Sequence, residues 1–218
     1  MRYTDYSYIW PPRPGSKQAI PPSMVASKEA LGCWAQIKKQ GTNNTLYVGP
    51  DRFVRPMNRH KAEHKQWSPT AQTHMTFANL PGTGWYVFSA ELMHNKVSDP
   101  KLKNINYIHD ILVMNGEYLV GTTFADRQKI LEDLFPHTVM PMSGIGYRVI
   151  DPNTWLAINY LPGTLKGGFI GLFKSLTRPE DEGLVFKRPD AKLAICFRET
   201  ANDHWQFKCR RPSKNVAY

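Results

Sequence analysis

Lysine and glutamate stand near glycine in two short stretches of this chain, and these residue types can act on phosphate. Residues 36–44 read QIKKQGTNN and carry Lys38, and residues 181–190 read DEGLVFKRPD and carry Glu182. An unprotonated lysine amine is a nucleophile, and a glutamate carboxylate can hold a divalent cation. A lone lysine of this kind is more often a solvated side chain at a strand end, so the rest of the chain must decide its role.

The charge of the chain favours a polyanionic partner. Its 218 residues include 28 Lys and Arg against 18 Asp and Glu, a formal net charge of +10. Because each neutralised phosphate releases condensed counterions, this surplus favours nucleic acid. No run reaches the about 20 apolar residues of a membrane span, and no signal peptide or basic amphipathic helix is visible.

The three cysteines, Cys33, Cys196 and Cys209, lie far apart in the chain. Their spacing fits neither a disulfide framework nor a zinc site. They therefore predict a reducing compartment, the cytoplasm.

The hydrophobic pattern predicts an α+β fold of antiparallel sheets with flanking helices. Short apolar alternations rich in β-branched and aromatic residues predict strands. These strands are CWAQIKK (33–39), NTLYV (44–48), GWYVFSAEL (84–92), INYIHDILVM (105–114), YRVIDP (147–152), EGLVFKR (182–188), KLAICFRE (192–199) and HWQFKCRR (204–211). Helices are predicted at SKEAL (27–31), TFADRQKILEDLF (123–135) and LKGGFIGLFKSLT (165–177).

Proline and threonine add local signals to this pattern. Residues 9–23 contain five prolines and predict an extended leader. Thr122 or Thr123 is the expected cap of the second helix. No internal repeat or interior linker interrupts the chain, so residues 1–218 are predicted to form a single domain.

The first stretch resembles a motif of the covalent nucleotidyltransferases, the superfamily of ATP-dependent DNA and RNA ligases and mRNA capping enzymes. That motif reads Lys-x-Asp-Gly-x-Arg/Asn, and residues 34–43, WAQIKKQGTN, resemble it. The matching positions are Lys38, Gly41 and Asn43, whereas Gln36 stands where a glutamate is expected and Gln40 where DNA ligases carry aspartate. Lys-x-x-Gly alone is a weak signal.

Two further segments resemble the family in its own order. RFVRPMNRH (52–60) resembles the segment whose arginine binds a polynucleotide phosphate, with Arg59 and Arg55 as the two candidates. WYVFSAELM (85–93) resembles the Gly-Glu-Leu segment, with Glu91 as its acid and alanine in place of glycine.

The last three motifs carry the resemblance to the end of the chain. Residues 107–131, beginning YIHDIL, resemble the third motif of DNA ligases, with His109 where an aromatic residue stacks on adenine. DEGLVFKRPD matches the fourth motif, Glu-Gly-Leu-Val-x-Lys, at Glu182 and Lys187. HWQFKCRRPS (204–213) resembles the fifth, Lys-x-Lys, with Lys208 kept and glutamine in the first place.

The resemblance implies a ligase adenylyltransferase core, similar to ATP-grasp folds, with a nucleotide cleft. Lys38 would attack the α-phosphate of ATP and carry AMP covalently, while Glu182 and Glu91 would hold Mg²⁺ or Mn²⁺. Lys187 and Lys208 would neutralise the triphosphate and, as neighbouring cations, favour the neutral amine of the nucleophile. The expected nucleotide contacts are Gln36, Gly41, Asn43, Glu91, His109, Lys187 and Lys208, with Gly41 leaving room for the nucleotide.

The implied reaction is sealing of a 5′-phosphate/3′-hydroxyl nick in duplex nucleic acid. The third and fourth motifs favour DNA, and the first favours RNA, so an RNA or mixed RNA/DNA ligase is the alternative. A GTP-using capping enzyme fits the third motif less well. A non-catalytic protein that only binds nucleic acid ends is the remaining alternative, which the intact Lys38, Glu182 and Lys187 oppose.

Family ligases usually continue into an OB-fold domain, and few residues follow the fifth motif here. The expectation is therefore a minimal enzyme of viral or phage type without an OB-fold domain, acting as a monomer in the cytoplasm in DNA repair or replication. Its grip on the duplex would come from the basic surface of this one domain.

Overall fold

Two β-sheets and four α-helices organise the chain in a computed structural model that describes residues 1–65, 67–93, 97, 99–140 and 146–212. The strands are β1 (Trp34–Lys39), β2 (Thr42–Val48), β3 (Val54–Met57), β4 (Tyr86–Met93), β5 (Ile105–Met114), β6 (Glu117–Tyr118), β7 (Tyr147–Asp151), β8 (Thr154–Ala157), β9 (Asp181–Lys187) and β10 (Gln206–Arg210). The helices are α1 (Val25–Ala30), α2 (Ala71–Ala78), α3 (Phe124–Leu134) and α4 (Gly168–Ser175).

The smaller sheet has three strands in the order β1-β9-β10, all antiparallel. The larger sheet has the order β3-β2-β4-β5-β8-β7, and β6 pairs with β5. The predicted α+β class is confirmed. The prediction of antiparallel sheets needs one correction, because β5 and β8 run parallel. Parallel neighbours need a long crossover, and the chain between these two strands includes α3.

Strand alternation divides the residues of β1 between a core and an open face. Ala35 and Ile37 are buried in an apolar cluster with Phe186 on β9 and Phe169 on α4. Gln36 and Lys38 point to the opposite face, since successive side chains of a strand alternate. That face is turned toward the larger sheet, so polar residues on β1 lie between the two sheets.

Helix α3 follows its sequence signals closely. Thr123, one of the two predicted caps, accepts a hydrogen bond from the backbone N–H of Asp126, and the Asp126 side chain accepts one from Thr123 in return. This capping box satisfies two backbone donors at the start of the helix. The helix packs on β5, as the predicted layer of helix on sheet requires.

The predicted strand KLAICFRE is wrong, because residues 192–199 form no strand. The Cys196 N–H donates to the Tyr118 hydroxyl, and the Ala194 N–H donates to the Asn202 side chain. Side chains thus satisfy backbone groups that a strand ladder would otherwise pair. The sequence pattern also missed α2, β3 and β8. No helix in the described parts of the chain is both long and apolar enough to cross a membrane.

A buried ion pair joins α3 to β5 and gives a stability prediction. The Arg127 guanidinium, fully buried, donates to both carboxylate oxygens of Asp110 at 2.9 and 3.1 Å. We expect Arg127→Met to lose about 3–5 kcal/mol of unfolding free energy, because it leaves a buried carboxylate without its counter-charge. Urea denaturation measures the loss. The double variant Asp110→Asn/Arg127→Met should be more stable than the single one, and a single variant within 1 kcal/mol of wild type, a small loss by this scale, contradicts the argument.

Candidate active site

A cleft of about 540 Å³ lies between the two sheets. This volume is in the range of small-molecule sites, roughly 300–1,000 Å³. The structure brings ten of the eleven residues singled out in the sequence to its walls. They are Gln36, Lys38, Gly41, Asn43, Arg59, Glu91, His109, Glu182, Lys187 and Lys208. Arg55 lies outside the lining, exposed on β3 beside the Phe53 ring, so the geometry favours Arg59 over Arg55.

Lys38 and Glu182 form an ion pair inside the cleft. The Lys38 Nζ donates to the Glu182 Oε2 at 2.5 Å, and the two side chains are 18% and 24% exposed. Lys38 pairs with Gly183 across the strands and Lys39 with Asp181, so Glu182 is the extra residue of a β-bulge. Bulges re-aim side chains next to active sites. Here the bulge sets the carboxylate against the lysine amine.

Gly183 allows this geometry. Its φ is +151°, and a Cβ there would lie 2.0 Å from the Cys209 carbonyl oxygen of β10. No other residue type fits between β9 and β10 at this point without moving the backbone. The Glu-Gly dipeptide therefore combines a bulged carboxylate with the close approach of the next strand.

Gly41 lines the cleft and also lies close to β4. The sequence suggested that it leaves room for a nucleotide beside Lys38. A Cβ at Gly41 would meet the Leu92 carbonyl oxygen at 2.5 Å and the Glu91 Cγ at 2.6 Å. The space is taken by β4, so this glycine allows the strand that carries Glu91 to approach.

Lys39, the neighbour of Lys38, is less accessible to a ligand than Lys38 because its side chain is buried in an ion pair. Its Nζ pairs with Asp181 Oδ1 at 2.5 Å, and both side chains are 1% exposed. The Tyr107 and Tyr147 rings lie 6.0 and 5.2 Å from this ammonium. Sequence reasoning missed this buried pair, which joins β1 and β9 directly beside the Glu182 bulge.

A row of residues on the larger sheet faces the cleft. Asn43 pairs with Glu91 across β2 and β4, and Glu91 pairs with Tyr107 across β4 and β5. Within the described residues, the Asn43 Oδ1 is buried and has no hydrogen-bond partner. An acceptor of this kind, on the wall of a cleft, suits a hydroxyl or amine of a bound ligand.

His109 lies in a bulge of β5. Ser89 and Ala90 of β4 pair with Asp110 and Ile108, which leaves His109 between them without a partner. Burial lowers the pKa of its imidazole well below the ordinary value, and the positive charges of Lys187 and Lys38 lower it further. The ring is therefore neutral at neutral pH, and its buried Nδ1 has no partner in the part of the chain that the structure describes.

The His109 carbonyl, freed by the bulge, collects three side-chain donors. Lys187 Nζ and Gln128 Nε2 donate to it at 3.2 Å, and Gln36 Nε2 at 3.4 Å. The Gln36 amide also donates to Asn159 Oδ1 at 2.9 Å. Gln128 and Asn159 carried no sequence signal, because their roles come from contacts between distant segments. This network fixes Gln36 where the family motif has a glutamate.

Lys187, which was expected to contact phosphate, is almost completely buried. It is 2% exposed, and its Nζ lies 4.7 Å from the centre of the Phe124 ring. Burial lowers its pKa to about 8. Protonation of Lys187 is thus sensitive to pH in the neutral to mildly alkaline range.

This lowered pKa predicts a pH-dependent stability. In the unfolded chain Lys187 has the ordinary lysine pKa of about 10.4. Above pH ~8 it therefore binds more protons in the unfolded chain than in the folded one. The cost of burying the charge is therefore present in full below pH 8 and is relieved as the pH rises toward 10. From pH 7 to 9.5, wild type should gain about 2 kcal/mol of unfolding free energy relative to Lys187→Met. Denaturant titrations of both proteins measure the difference, and a constant difference contradicts the prediction.

Basic side chains surround the mouth of the cleft. Lys208 Nζ donates to the Pro14 carbonyl at 3.1 Å, and Arg59 Nε donates to His60 Nε2 at 3.3 Å. Burial lowers the pKa of Lys208, and the neighbouring charges of Arg210 and Lys38 act in the same direction. Among the described residues, seven lysines and arginines line the cleft against two glutamates.

The two glutamates, Glu182 and Glu91, are the candidate metal ligands. No group of three or more His, Cys, Asp or Glu side chains gathers as a metal site within the described residues. Mg²⁺ is commonly bound through one or two carboxylates together with substrate phosphates. Two carboxylates in a cationic cleft fit that mode better than an all-protein cage.

Solved structures share this architecture, although no protein-family model and no curated protein sequence matches the chain. The ligase domain of M. tuberculosis LigD aligns with a TM-score of 0.55 and 19% identity, over 85% of this chain and 56% of that one. A mycobacterial DNA ligase D complexed with ATP aligns with a TM-score of 0.57 and 18% identity, over 83% and 55%. A structure from a study of Lig E DNA ligases aligns with a TM-score of 0.53 and 14% identity, over 95% and 70%.

The chain thus spans about half the length of the two mycobacterial proteins. Most of this chain is covered in each of these alignments. The chain shares the fold of these DNA ligase structures, which confirms, at the level of fold, the resemblance found in its sequence.

Proposed function

We propose that this protein is an ATP-dependent polynucleotide ligase that seals nicks in duplex DNA through a lysyl-AMP intermediate. The observation that carries the proposal is the Lys38–Glu182 pair, 2.5 Å apart in a cationic cleft of a ligase fold. The Lys38 nitrogen forms a bond to the α-phosphorus of ATP, and the bond to the bridging oxygen breaks to release pyrophosphate. AMP then passes from Lys38 to a 5′-phosphate, and attack by the adjoining 3′-hydroxyl seals the strand and releases AMP.

Without nucleotide, the proposed nucleophile Lys38 forms an ion pair with Glu182. Glu182 stabilises the charged form of Lys38, whereas attack on phosphorus requires the neutral amine. The amine must therefore leave this pairing and lose a proton before it reacts.

Orphaned polar atoms on the larger sheet fit the nucleoside half of ATP. The neutral His109 ring would stack on adenine. Its Nδ1 and the Asn43 Oδ1, which are buried and have no hydrogen-bond partner among the described residues, would bond to the nucleoside. Glu91, which pairs with Asn43 across β2 and β4, would accept from a ribose hydroxyl. Glu182 and Glu91 would hold Mg²⁺ or Mn²⁺, which when bound would neutralise charge on the phosphates.

DNA is the proposed substrate, with Arg59 as the ligand of a strand phosphate. The third and fourth sequence motifs support DNA, and the similar solved proteins are named as DNA ligases. Arg59 is exposed and lines the same cleft as Lys38, so a strand phosphate bound there would lie in the cleft of the nucleophile. The surplus of basic residues supports a backbone-dominated grip that weakens as salt rises.

A panel of nicked duplexes tests the proposal. The purified chain is incubated with ATP, magnesium and 5′-phosphorylated nicks whose two sides are DNA or RNA in all combinations. We expect sealing of all-DNA nicks, with less product as salt increases. Sealing of RNA-containing nicks alone would replace DNA by RNA as the substrate. Neither product nor labelled protein would remove the catalytic proposal and leave an end-binding protein.

A further inference from the structure

The proline-rich leader forms part of the cleft wall. Pro12, Arg13 and Pro14 line the cleft, although the family motifs begin more than twenty residues later. The Pro14 carbonyl accepts from Lys208, and the Ile20 N–H donates to the Lys208 carbonyl at 2.9 Å. The Trp10 N–H donates to the Cys196 carbonyl at 3.1 Å on the other side of Arg13. Arg13 is therefore held between two anchored points.

Arg13 belongs to the cationic mouth of the cleft. Its guanidinium forms an ion pair with the Glu199 carboxylate, and the two side chains are 34% and 44% exposed. Arg59 lies close enough to act as a like charge on Arg13, and Arg13 acts in the same way on Lys208. An exposed pair of this kind contributes little to stability, so a stronger anion can displace Glu199.

We propose that Arg13 binds the β- and γ-phosphates of the nucleoside triphosphate, an inference that rests on the proposed function. Lys208, whose Nζ donates to the Pro14 carbonyl beside Arg13, lines the same cleft as the Lys38–Glu182 pair. The α-phosphate must sit at Lys38 for attack, so the outer phosphates extend toward Lys208 and Arg13. A guanidinium presents two parallel donors that match phosphate oxygens.

Equilibrium binding of ATP, ADP and AMP tests this assignment in the full chain. Measurements use the Lys38→Arg background, which prevents covalent capture. Arg13→Gln should weaken ATP binding about 10-fold or more, as expected for loss of charge-assisted hydrogen bonds, and leave AMP binding unchanged. Glu199→Gln should keep or strengthen ATP binding, because it removes a competing carboxylate. Lys17→Gln, an exposed leader lysine outside the cleft lining, is the matched control.

The opposite behaviour of the two variants separates ligand binding from a structural role. If Arg13 only braces the leader through Glu199, Arg13→Gln and Glu199→Gln will change ATP binding in the same direction, which overturns the assignment. Equal loss of ATP and AMP binding in Arg13→Gln also overturns it. Binding of nicked duplexes with a 5′-phosphate or a 5′-hydroxyl is measured as well. If Arg13→Gln weakens only the binding of the 5′-phosphorylated duplex and leaves ATP binding unchanged, Arg13 binds the strand end and the assignment to ATP is overturned. Failure of the Arg13-intact protein to bind ATP at all would instead remove the proposed function.

Discussion

The Lys38→Arg variant is expected to take up no measurable label from α-phosphate-labelled ATP, at most about one thousandth of the wild-type amount, since loss of a catalytic nucleophile can cost on the order of 10⁶ in rate. Arginine keeps the positive charge beside Glu182 but stays protonated and does not act as a nucleophile. The ion pair in the cleft and the fold should both survive. The measurement is covalent label retained on the denatured protein after incubation with ATP and magnesium.

Two controls make this result specific. Lys129→Gln removes a lysine that is 75% exposed on α3, and it should be labelled like wild type. Lys39 is a poor control, because removing it leaves Asp181 buried without its partner. Lys38→Arg protein that still carries covalent AMP would move the nucleophile to another residue and end the proposed role of Lys38.

The sequence predicted most strands that carry the site, because local pattern decides them. β1, β5 and β9 alternate or run apolar, and their residues Lys38, His109 and Glu182 meet in the cleft as the motifs implied. The residues 192–199 show the limit of that reasoning. Their apolar pattern is that of a strand. However, the side chains of Tyr118 and Asn202, which lie outside this segment, accept hydrogen bonds from its backbone.

The geometry of the site could not be predicted from spacing. Both His109 and Glu182 owe their orientation to bulges, which arise from how two strands are paired and not from either strand alone. The motif singled out Gly41, but spacing alone could not show that β4 lies so close to it. The leader was predicted as extended chain, and only tertiary contact shows that Arg13 reaches the cleft.

Glu182→Gln is expected to lower the rate of AMP loading about 100-fold or more, the usual cost of removing one group that stabilises developing charge. Glutamine has the shape of glutamate without its charge. The variant therefore removes the carboxylate whose Oε2 lies 2.5 Å from the Lys38 Nζ and 3.4 Å from the Arg210 Nε. It also removes one of the two candidate metal ligands. Single-turnover labelling over a range of magnesium concentrations measures the effect.

The fold should not depend on this carboxylate. Glu182 is 24% exposed, and ion pairs open to solvent contribute about 0–1 kcal/mol, so the unfolding midpoint should stay near that of wild type. Glu182→Asp keeps the charge with a shorter reach and should load AMP faster than the glutamine variant. Glu91→Gln tests the second carboxylate. If this variant slows AMP loading less than Glu182→Gln does, Glu91 contacts the ribose and does not hold the metal. Wild-type loading by Glu182→Gln would exclude the bulged carboxylate from the chemistry, and the Lys38–Glu182 pair would then be only a resting contact.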